Sequence, residues 1–203
     1  MSSIEVFADI VCPFTHVGLK RLIAERRRRG AAGFVRVRAW PLEWINSEPL
    51  SADLAAHEIE ALRTQVAPDT FAGFSPATFP RTSIPAFGLV AAGYALSTEA
   101  GESLSLAVRH ALFEEGLDVS DPRVLADLGD AYGVVPFDVT TSAAAARADW
   151  ERGKARGVQG SPHFFVGDRD WFCPSLRISK RDGEFEIELE REALDNFYAS
   201  ATV

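Results

Sequence analysis

The apolar and polar positions of the first 40 residues predict a strand, a helix and a second strand. Ile4–Val11 is a short apolar run rich in β-branched residues, which is typical of a buried strand. Pro13 favours the first turn of a helix, which is expected to end in a run of arginines before Gly30. Phe34–Trp40 alternates apolar and polar residues and predicts the second strand. This order indicates a βαβ unit of the kind that builds parallel sheets.

The pattern becomes helical between residues 46 and 155. Helical periodicity and capping residues predict five helices, over 51–67, 86–96, 99–115, 122–132 and 141–156. A loop rich in Phe, Pro and Ser separates the first two, and no convincing strand interrupts the series. The segment therefore predicts a helical subdomain.

Strand patterns return near the end of the chain. His163–Val166 is an apolar run before a turn. Arg177–Ser179 and Glu184–Leu189 flank an Asp-Gly turn, which is typical of a β-hairpin. Glu192–Ala201 predicts a final helix.

The expected organisation is one α/β fold interrupted by a large all-helical insertion. Residues 1–45 form its N-terminal βαβ part, residues 46–155 the insertion, and residues 156–203 a C-terminal ββα part. Because there are no repeats or low-complexity linkers, we expect the insertion to pack on its host.

The net charge and the number of cysteines exclude several classes of function for this protein. The 203-residue chain has a formal net charge of −8, whereas nucleic-acid and anionic-membrane binders are normally basic, so neither partner is expected. No stretch approaches the roughly 20 apolar residues of a membrane span, and Glu5 and Asp9 interrupt any secretory signal. We therefore expect a cytoplasmic protein with reduced thiols. Two cysteines are too few for a disulfide scaffold, so a functional role for either one would lie in its thiol chemistry.

Cys12 is the first candidate for that chemistry. It leads into a helix, where unpaired backbone N–H groups and the helix dipole favour a thiolate. We therefore expect a pKa below the roughly 8.5 of free cysteine. The alternative is a small buried residue at a strand end.

The second candidate is the segment Gly157–Phe165, in which a glycine turn and Ser161-Pro162 lead into a strand. On local grounds alone the Pro162 bond is expected to be trans, because only about 5–6% of X–Pro bonds in folded proteins are cis.

Together, Cys12–Thr15 at a helix start, the helical insertion and the pattern Gly-Val-x-Gly-x-Pro-x-Phe at 157–164 resemble the DsbA family of thioredoxin-fold proteins. The likeness is closer to its cytoplasmic FrnE-like branch, whose insertion is similar to Val108–Asp121. The resemblance implies a thioredoxin fold with a cis Pro162 beside Cys12. It also implies that the backbone of Ser161 pairs with a peptide or thiol ligand, and that Pro13 and Phe14 tune the nucleophile.

Thr15 departs from that branch, which mostly has cysteine there. A second cysteine resolves a mixed disulfide internally, and Thr15 cannot. Its hydroxyl can instead donate a hydrogen bond to a Cys12 thiolate, or simply cap the helix. The leading hypothesis is therefore thiol–disulfide exchange through Cys12 alone, with glutathione or mycothiol as external co-substrate. Its expected partners are small thiols or disulfide-bearing proteins, and no bound cofactor is expected. The sequence does not decide whether the protein forms a homodimer.

Two alternatives remain. Kappa-class glutathione transferases and 2-hydroxychromene-2-carboxylate isomerases resemble this architecture but typically carry serine at the position of Cys12, which suggests a glutathione- or mycothiol-dependent transferase or isomerase. Its pocket, between the active-site helix and the insertion, would be lined by phenylalanines that are more often ordinary core: Phe71, Phe74, Phe79 and Phe87. The other alternative is a catalytically silent binding module.

Three further residues are candidates near the site. Cys173 would resolve Cys12 if the strand that follows the one led by Pro162 returns toward the site, although a cysteine flanked by aromatic residues usually packs in a core. His16 would supply a proton or line a pocket, and His163 would face a ligand. No His or Cys pair has metal-ligand spacing, so no metal is expected.

Overall fold

The computed structural model describes residues 4–134 and 142–201. Its central sheet has four strands in the order β2-β1-β3-β4. They are β1 (Ile4–Ala8), β2 (Val35–Ala39), β3 (His163–Val166) and β4 (Arg169–Phe172). β2 pairs with β1 in parallel, whereas β3 is antiparallel to β1 and β4 to β3. The two ends of the chain therefore meet in one sheet, and the predicted α/β class is confirmed.

Between β2 and β3 the regular elements of the described residues are all helical. They are α2 (Leu42–Ile45), α3 (Ala52–Gln65), a 3-10 turn (Pro76–Thr78), α4 (Ile84–Leu96), α5 (Thr98–Phe113), α6 (Pro122–Ala131) and α7 (Ser142–Ala155). The sequence missed α2 and the 3-10 turn because elements this short show no period. The predicted helix start at Thr141 lies outside the described residues.

Helices cover both faces of the central sheet. On one face, α1 (Pro13–Arg28) and α8 (Arg191–Ala201) bury the even-numbered positions of β1 and β3, as in the 5.6 Å contact between the Phe164 and Phe197 rings. On the other face, α7 packs against Trp40, and a Cβ atom at Gly153 would lie 2.5 Å from that indole ring. Only glycine allows so close an approach.

The C-terminal hairpin is a separate two-stranded sheet. β5 (Leu176–Arg181) and β6 (Glu184–Leu189) are joined through Asp182 and Gly183, both at positive φ, as the predicted Asp-Gly turn requires. Gln65 of α3 donates to the Phe185 carbonyl at 2.9 Å and accepts from the Ile187 N–H at 2.8 Å. The hairpin is thus fastened to the helical insertion.

The largest buried apolar cluster joins the insertion and the hairpin to the start of α1, and it includes Cys12 and Phe14. The first turn of α1 therefore lies at the boundary between the sheet and the helical layer. Within the described residues, no helix has the length and apolarity of a membrane span.

Candidate active site

Cys12 lies where β1 turns into α1. It is the N-cap residue, with φ −80° and ψ 115°, and Pro13 follows in the first helical turn. The Cys12 thiol donates a hydrogen bond to the Ser161 carbonyl, with 3.4 Å between sulfur and oxygen. The Ser161–Pro162 peptide bond is cis. The structure therefore brings together the two motifs of the sequence.

Thr15 occupies an inward position on the same turn. Its side chain is fully buried, and its Oγ1 lies 2.8 Å from the Ser161 hydroxyl oxygen, which also accepts the Asp9 N–H at 2.8 Å. The threonine hydroxyl also lowers the pKa of Cys12. Thr15 therefore joins α1 to the loop before Pro162 and favours the thiolate.

The predicted low pKa of Cys12 is nevertheless wrong for this conformation. Burial raises the pKa of the Cys12 thiol to about 11, and the negative charge of Glu58 acts in the same direction. Hydrogen bonds from Thr15 and Ser161 lower it by less. Because Cys12 is only 4% exposed, its lost hydration outweighs the stabilisation from the helix start. The side chain is therefore a neutral thiol at pH 7.

Glu58 is a site residue that the sequence analysis missed. It lies on α3, and burial raises the pKa of its carboxyl group to about 7, while the Lys180 charge lowers it. Helical periodicity places position 58 beside the buried stripe of α3, which Ala55, Ile59 and Leu62 form, but it does not reveal that this part of α3 packs near Cys12.

Asp9 and Arg109 form hydrogen bonds to the backbone around the turn before Cys12, and neither was predicted from the sequence. The Asp9 carboxylate accepts the N–H groups of Val11 at 3.1 Å and Leu42 at 2.6 Å, and burial raises its pKa. Arg109 of α5 donates to the Asp9 carbonyl at 3.1 Å. Burial lowers the pKa of Arg109 to about 10, so the guanidinium stays charged at pH 7. The insertion is therefore anchored directly to the active-site turn.

His16 faces the insertion. Its Nε2 lies 2.8 Å from Glu114 Oε1, and its ring packs on Phe71 and Phe113 at 5.4 and 4.9 Å. Burial lowers the pKa of His16, which leaves the imidazole neutral at pH 7. This residue ties α1 to the end of α5.

His163 lies on the face of the sheet that α7 covers. Its Nδ1 accepts the Gln159 N–H at 3.1 Å, its Nε2 lies 2.9 Å from Asp170, and its ring packs on Phe165 at 4.6 Å. Both ring nitrogens are therefore engaged. Within the described part of the chain, no hydrogen bond connects His163 to Cys12 or Thr15.

Cys173 follows β4 and is a buried free thiol. Its N–H donates to the Pro162 carbonyl at 3.1 Å, so it lies across from the cis proline. Burial raises the pKa of Cys173 to about 12, and the charge of Cys12 adds to that rise. β4, which is antiparallel to the strand that Pro162 leads, thus returns toward the site.

The phenylalanines of the alternative pocket are mostly packed in the interior. Phe71, Phe79 and Phe87 are buried, and Phe74 packs on Phe79 with 5.9 Å between ring centres. Phe14 contacts Phe185 of the hairpin at 5.8 Å. A groove of about 620 Å³ does lie between the active-site helix α1 and the insertion helices α5 and α6, but these phenylalanines do not line it. Its lining includes His16, Leu19, Ile23, Leu106, Ala107 and Leu128.

Comparison with solved structures shows the same fold in proteins of low sequence identity. The cytosolic disulfide reductase DsbM from Pseudomonas aeruginosa is 17% identical, with a TM-score of 0.61 over 98% of each chain. The same protein solved with GSH is 16% identical, with a TM-score of 0.60 over 99% of this chain and 100% of that one. A 2-hydroxychromene-2-carboxylate isomerase is 16% identical, with a TM-score of 0.57 over 84% of this chain and 88% of that one.

The family assignment comes from the sequence itself. No curated protein matches the chain. A family model described as the DSBA-like thioredoxin domain matches residues 3–179, which include Cys12, Pro162 and Cys173. This chain therefore belongs to the family of DSBA-like thioredoxin domains.

Proposed function

We propose that this protein is a thiol–disulfide oxidoreductase in which Cys12 is the attacking sulfur and a low-molecular-weight thiol, glutathione or mycothiol, restores it. The observation that carries the proposal is the 3.4 Å contact between the Cys12 sulfur and the Ser161 carbonyl, next to the cis Pro162. The structural likeness to a disulfide reductase solved with GSH supports the same chemistry.

In the proposed reaction, Cys12 loses its proton and its sulfur attacks one sulfur of a disulfide substrate. The substrate S–S bond breaks, and the departing sulfur leaves as a thiolate that takes up a proton. The protein now carries a mixed disulfide on Cys12. A low-molecular-weight thiolate then attacks that bond, leaves with the substrate half as a disulfide, and frees the Cys12 thiolate.

The raised pKa controls how readily the first step starts. With a pKa of about 11, roughly one Cys12 side chain in 10⁴ is ionised at pH 7. We expect slow exchange at neutral pH and a rate that rises with pH. The proposal includes a cytoplasmic location, since two free thiols persist in a reducing compartment.

A glutathione- or mycothiol-dependent transferase or isomerase is the second candidate, because a neutral Cys12 can act as a hydrogen-bond donor. Its S–H now donates to the Ser161 carbonyl and would be free to donate to an incoming thiolate, as a serine hydroxyl can. The groove between α1, α5 and α6 offers a binding volume beside the same helix.

One pair of assays separates the candidates. Insulin reduction with glutathione as electron donor should require Cys12, and Cys12→Ser should abolish it. Conjugation of glutathione to 1-chloro-2,4-dinitrobenzene should instead survive in Cys12→Ser if the second candidate is right. A wild-type protein inactive in both assays, and folded by circular dichroism, would contradict both.

A further inference from the structure

We propose that Cys173 is the resolving cysteine of this site and forms an internal disulfide with Cys12 during turnover. The proposal rests on the function proposed above and supplies a step that Thr15 cannot perform. It replaces the usual pair of cysteines on one helical turn by a pair from two separate elements, the N-terminus of α1 and the end of β4.

The first support is position. The Cys12 thiol contacts the carbonyl of Ser161, and the Cys173 N–H binds the carbonyl of the next residue, Pro162. Both cysteines belong to the same buried apolar cluster, and the charge of one acts on the ionisation of the other. The Cys12 thiol and the Cys173 backbone thus contact consecutive carbonyl groups of the cis Ser161–Pro162 pair.

The second support is the backbone of Cys173, which is held at both ends. Its N–H is fixed by Pro162, and its carbonyl accepts the Leu176 N–H at 3.1 Å. Its φ is 46°, in a left-handed region that residues other than glycine rarely occupy. Such conformations persist where surrounding contacts enforce them and often lie at functional sites.

The third support is the packing of this turn on α1. A Cβ atom placed on Gly18 would lie 3.7 Å from both Pro162 Cγ and Ser175 Oγ. The turn that carries Cys173 therefore packs against the same helix that begins at Cys12. A disulfide needs Cα atoms within roughly 7 Å, which a shared packing layer can supply.

The proposed step balances without a further oxidant. The Cys173 thiol loses its proton, and its sulfur attacks Cys12 in the mixed disulfide. The Cys12–substrate S–S bond breaks, the substrate half leaves as a thiolate and takes up a proton, and a Cys12–Cys173 disulfide forms. Two equivalents of glutathione then reduce this disulfide and become glutathione disulfide.

The test is to treat the reduced full chain with glutathione disulfide, quench with an alkylating agent, and measure intact mass and linked peptides. Wild type should yield a Cys12–Cys173 peptide and little lasting adduct. Cys173→Ser and Cys173→Gly should hold one glutathione on Cys12 at least about tenfold longer. The glycine variant suits φ 46° and guards against misfolding, which circular dichroism of both variants checks.

Two outcomes contradict the proposal and are distinguishable. If wild type keeps glutathione on Cys12 while Cys173 is alkylated after unfolding, Cys173 does not resolve the bond, and the proposed function survives. If neither wild type nor variant forms an adduct or an internal disulfide, thiol–disulfide exchange through Cys12 fails as well.

Discussion

The Thr15 hydroxyl oxygen lies 2.8 Å from the Ser161 hydroxyl oxygen, and this contact joins the first turn of α1 to the loop that carries the cis proline. Ser161 also accepts the Asp9 N–H, so one serine connects β1, α1 and the loop before β3. A cysteine at position 15 would offer only a weak donor and acceptor here. Thr15 thus gives the site a hydroxyl hydrogen bond at the position of the first turn where a second cysteine would otherwise lie.

Removing the Thr15 hydroxyl should lower the free energy of unfolding and raise the pKa of Cys12. In Thr15→Val the buried Ser161 hydroxyl loses a partner, which we expect to cost about 1–2 kcal/mol of unfolding free energy. Because the Thr15 hydrogen bond lowers the pKa of Cys12, its loss should move the pH profile of iodoacetamide alkylation upward. Thr15→Ser keeps the hydroxyl and should stay near wild type in both measurements. An unchanged profile for the valine variant would contradict this role.

Glu58→Gln should make Cys12 more reactive. The negative charge of Glu58 raises the pKa of Cys12, so a neutral amide should lower it and shift alkylation to lower pH. Glu58 itself has a pKa of about 7, so the two proteins should differ most above neutral pH, where its carboxyl group is ionised. Glu60→Gln, at an exposed position of the same helix, is the matched control. Equal shifts in both variants would mean that general surface charge is responsible.

Glu114 should make the protein sensitive to acid. Its carboxylate accepts the N–H groups of Phe71 at 2.8 Å and Ala72 at 3.1 Å and contacts both Lys20 and His16. These contacts lower the pKa of Glu114 below its ordinary 4.5, and burial lowers the pKa of His16 below 6.5. For both groups the unfolded chain binds protons first as pH falls. Their contribution to stability is therefore lost, beginning below pH 6.5 for His16 and below 4.5 for Glu114.

The corresponding measurement is urea unfolding of wild type and Glu114→Gln across pH. At pH 7 we expect a loss of about 2 kcal/mol in the variant, because several partly buried or exposed hydrogen bonds to a carboxylate are weakened together. The difference should shrink as pH falls below 4.5, where the wild-type carboxylate begins to be protonated. The neighbouring exposed Glu115→Gln is the control. A difference independent of pH would point to a packing effect.

The longer helices and most strands were predictable from sequence because they depend on local periods, whereas α2, the 3-10 turn and β4 were not predicted. The β1-α1-β2 unit follows from alternation and from Pro13, and the hairpin follows from Asp182 and Gly183. The site was only partly predictable. That Cys12 begins a helix can be read from its neighbours, whereas the expectation of a cis Pro162 came from family resemblance, since no local feature favours it.

The chemistry of Cys12 was not predictable because it depends on distant packing. Its neighbours in sequence supply a helix start that favours a thiolate. Its burial comes from the insertion and the hairpin, whose positions no local pattern reveals. Glu58, Asp9 and Arg109 were missed because a charged residue is expected at the surface unless its contacts are known.

The site should act as a reductant and not as a strong oxidant. A thioredoxin-fold enzyme is a strong oxidant when its reduced form is stabilised relative to its disulfide form. A low thiol pKa provides that stabilisation, because the reduced cysteine is then held as a thiolate. Here burial raises the pKa of Cys12 to about 11 and that of Cys173 to about 12, so the reduced pair lacks this stabilisation. If the two cysteines pair as proposed, this protein should be mostly in its disulfide form in glutathione/glutathione disulfide mixtures. In the same mixtures a strongly oxidising thioredoxin-fold enzyme would be mostly reduced.

The pH dependence of that equilibrium provides the measurement. Fractions of the Cys12–Cys173 disulfide are determined in defined glutathione and glutathione disulfide mixtures from pH 6 to pH 10. Because the pKa of Cys12 is about 11 and that of Cys173 is about 12, both thiols stay mostly protonated up to pH 10. After correction for the ionisation of glutathione itself, reduction of the protein disulfide should therefore consume close to two protons across this range. Glu58→Gln, which lowers the pKa of Cys12, should shift toward one proton at the alkaline end. A wild-type change to one proton near pH 7 would show that Cys12 is a thiolate in solution and that the closed, buried site is not its reduced state.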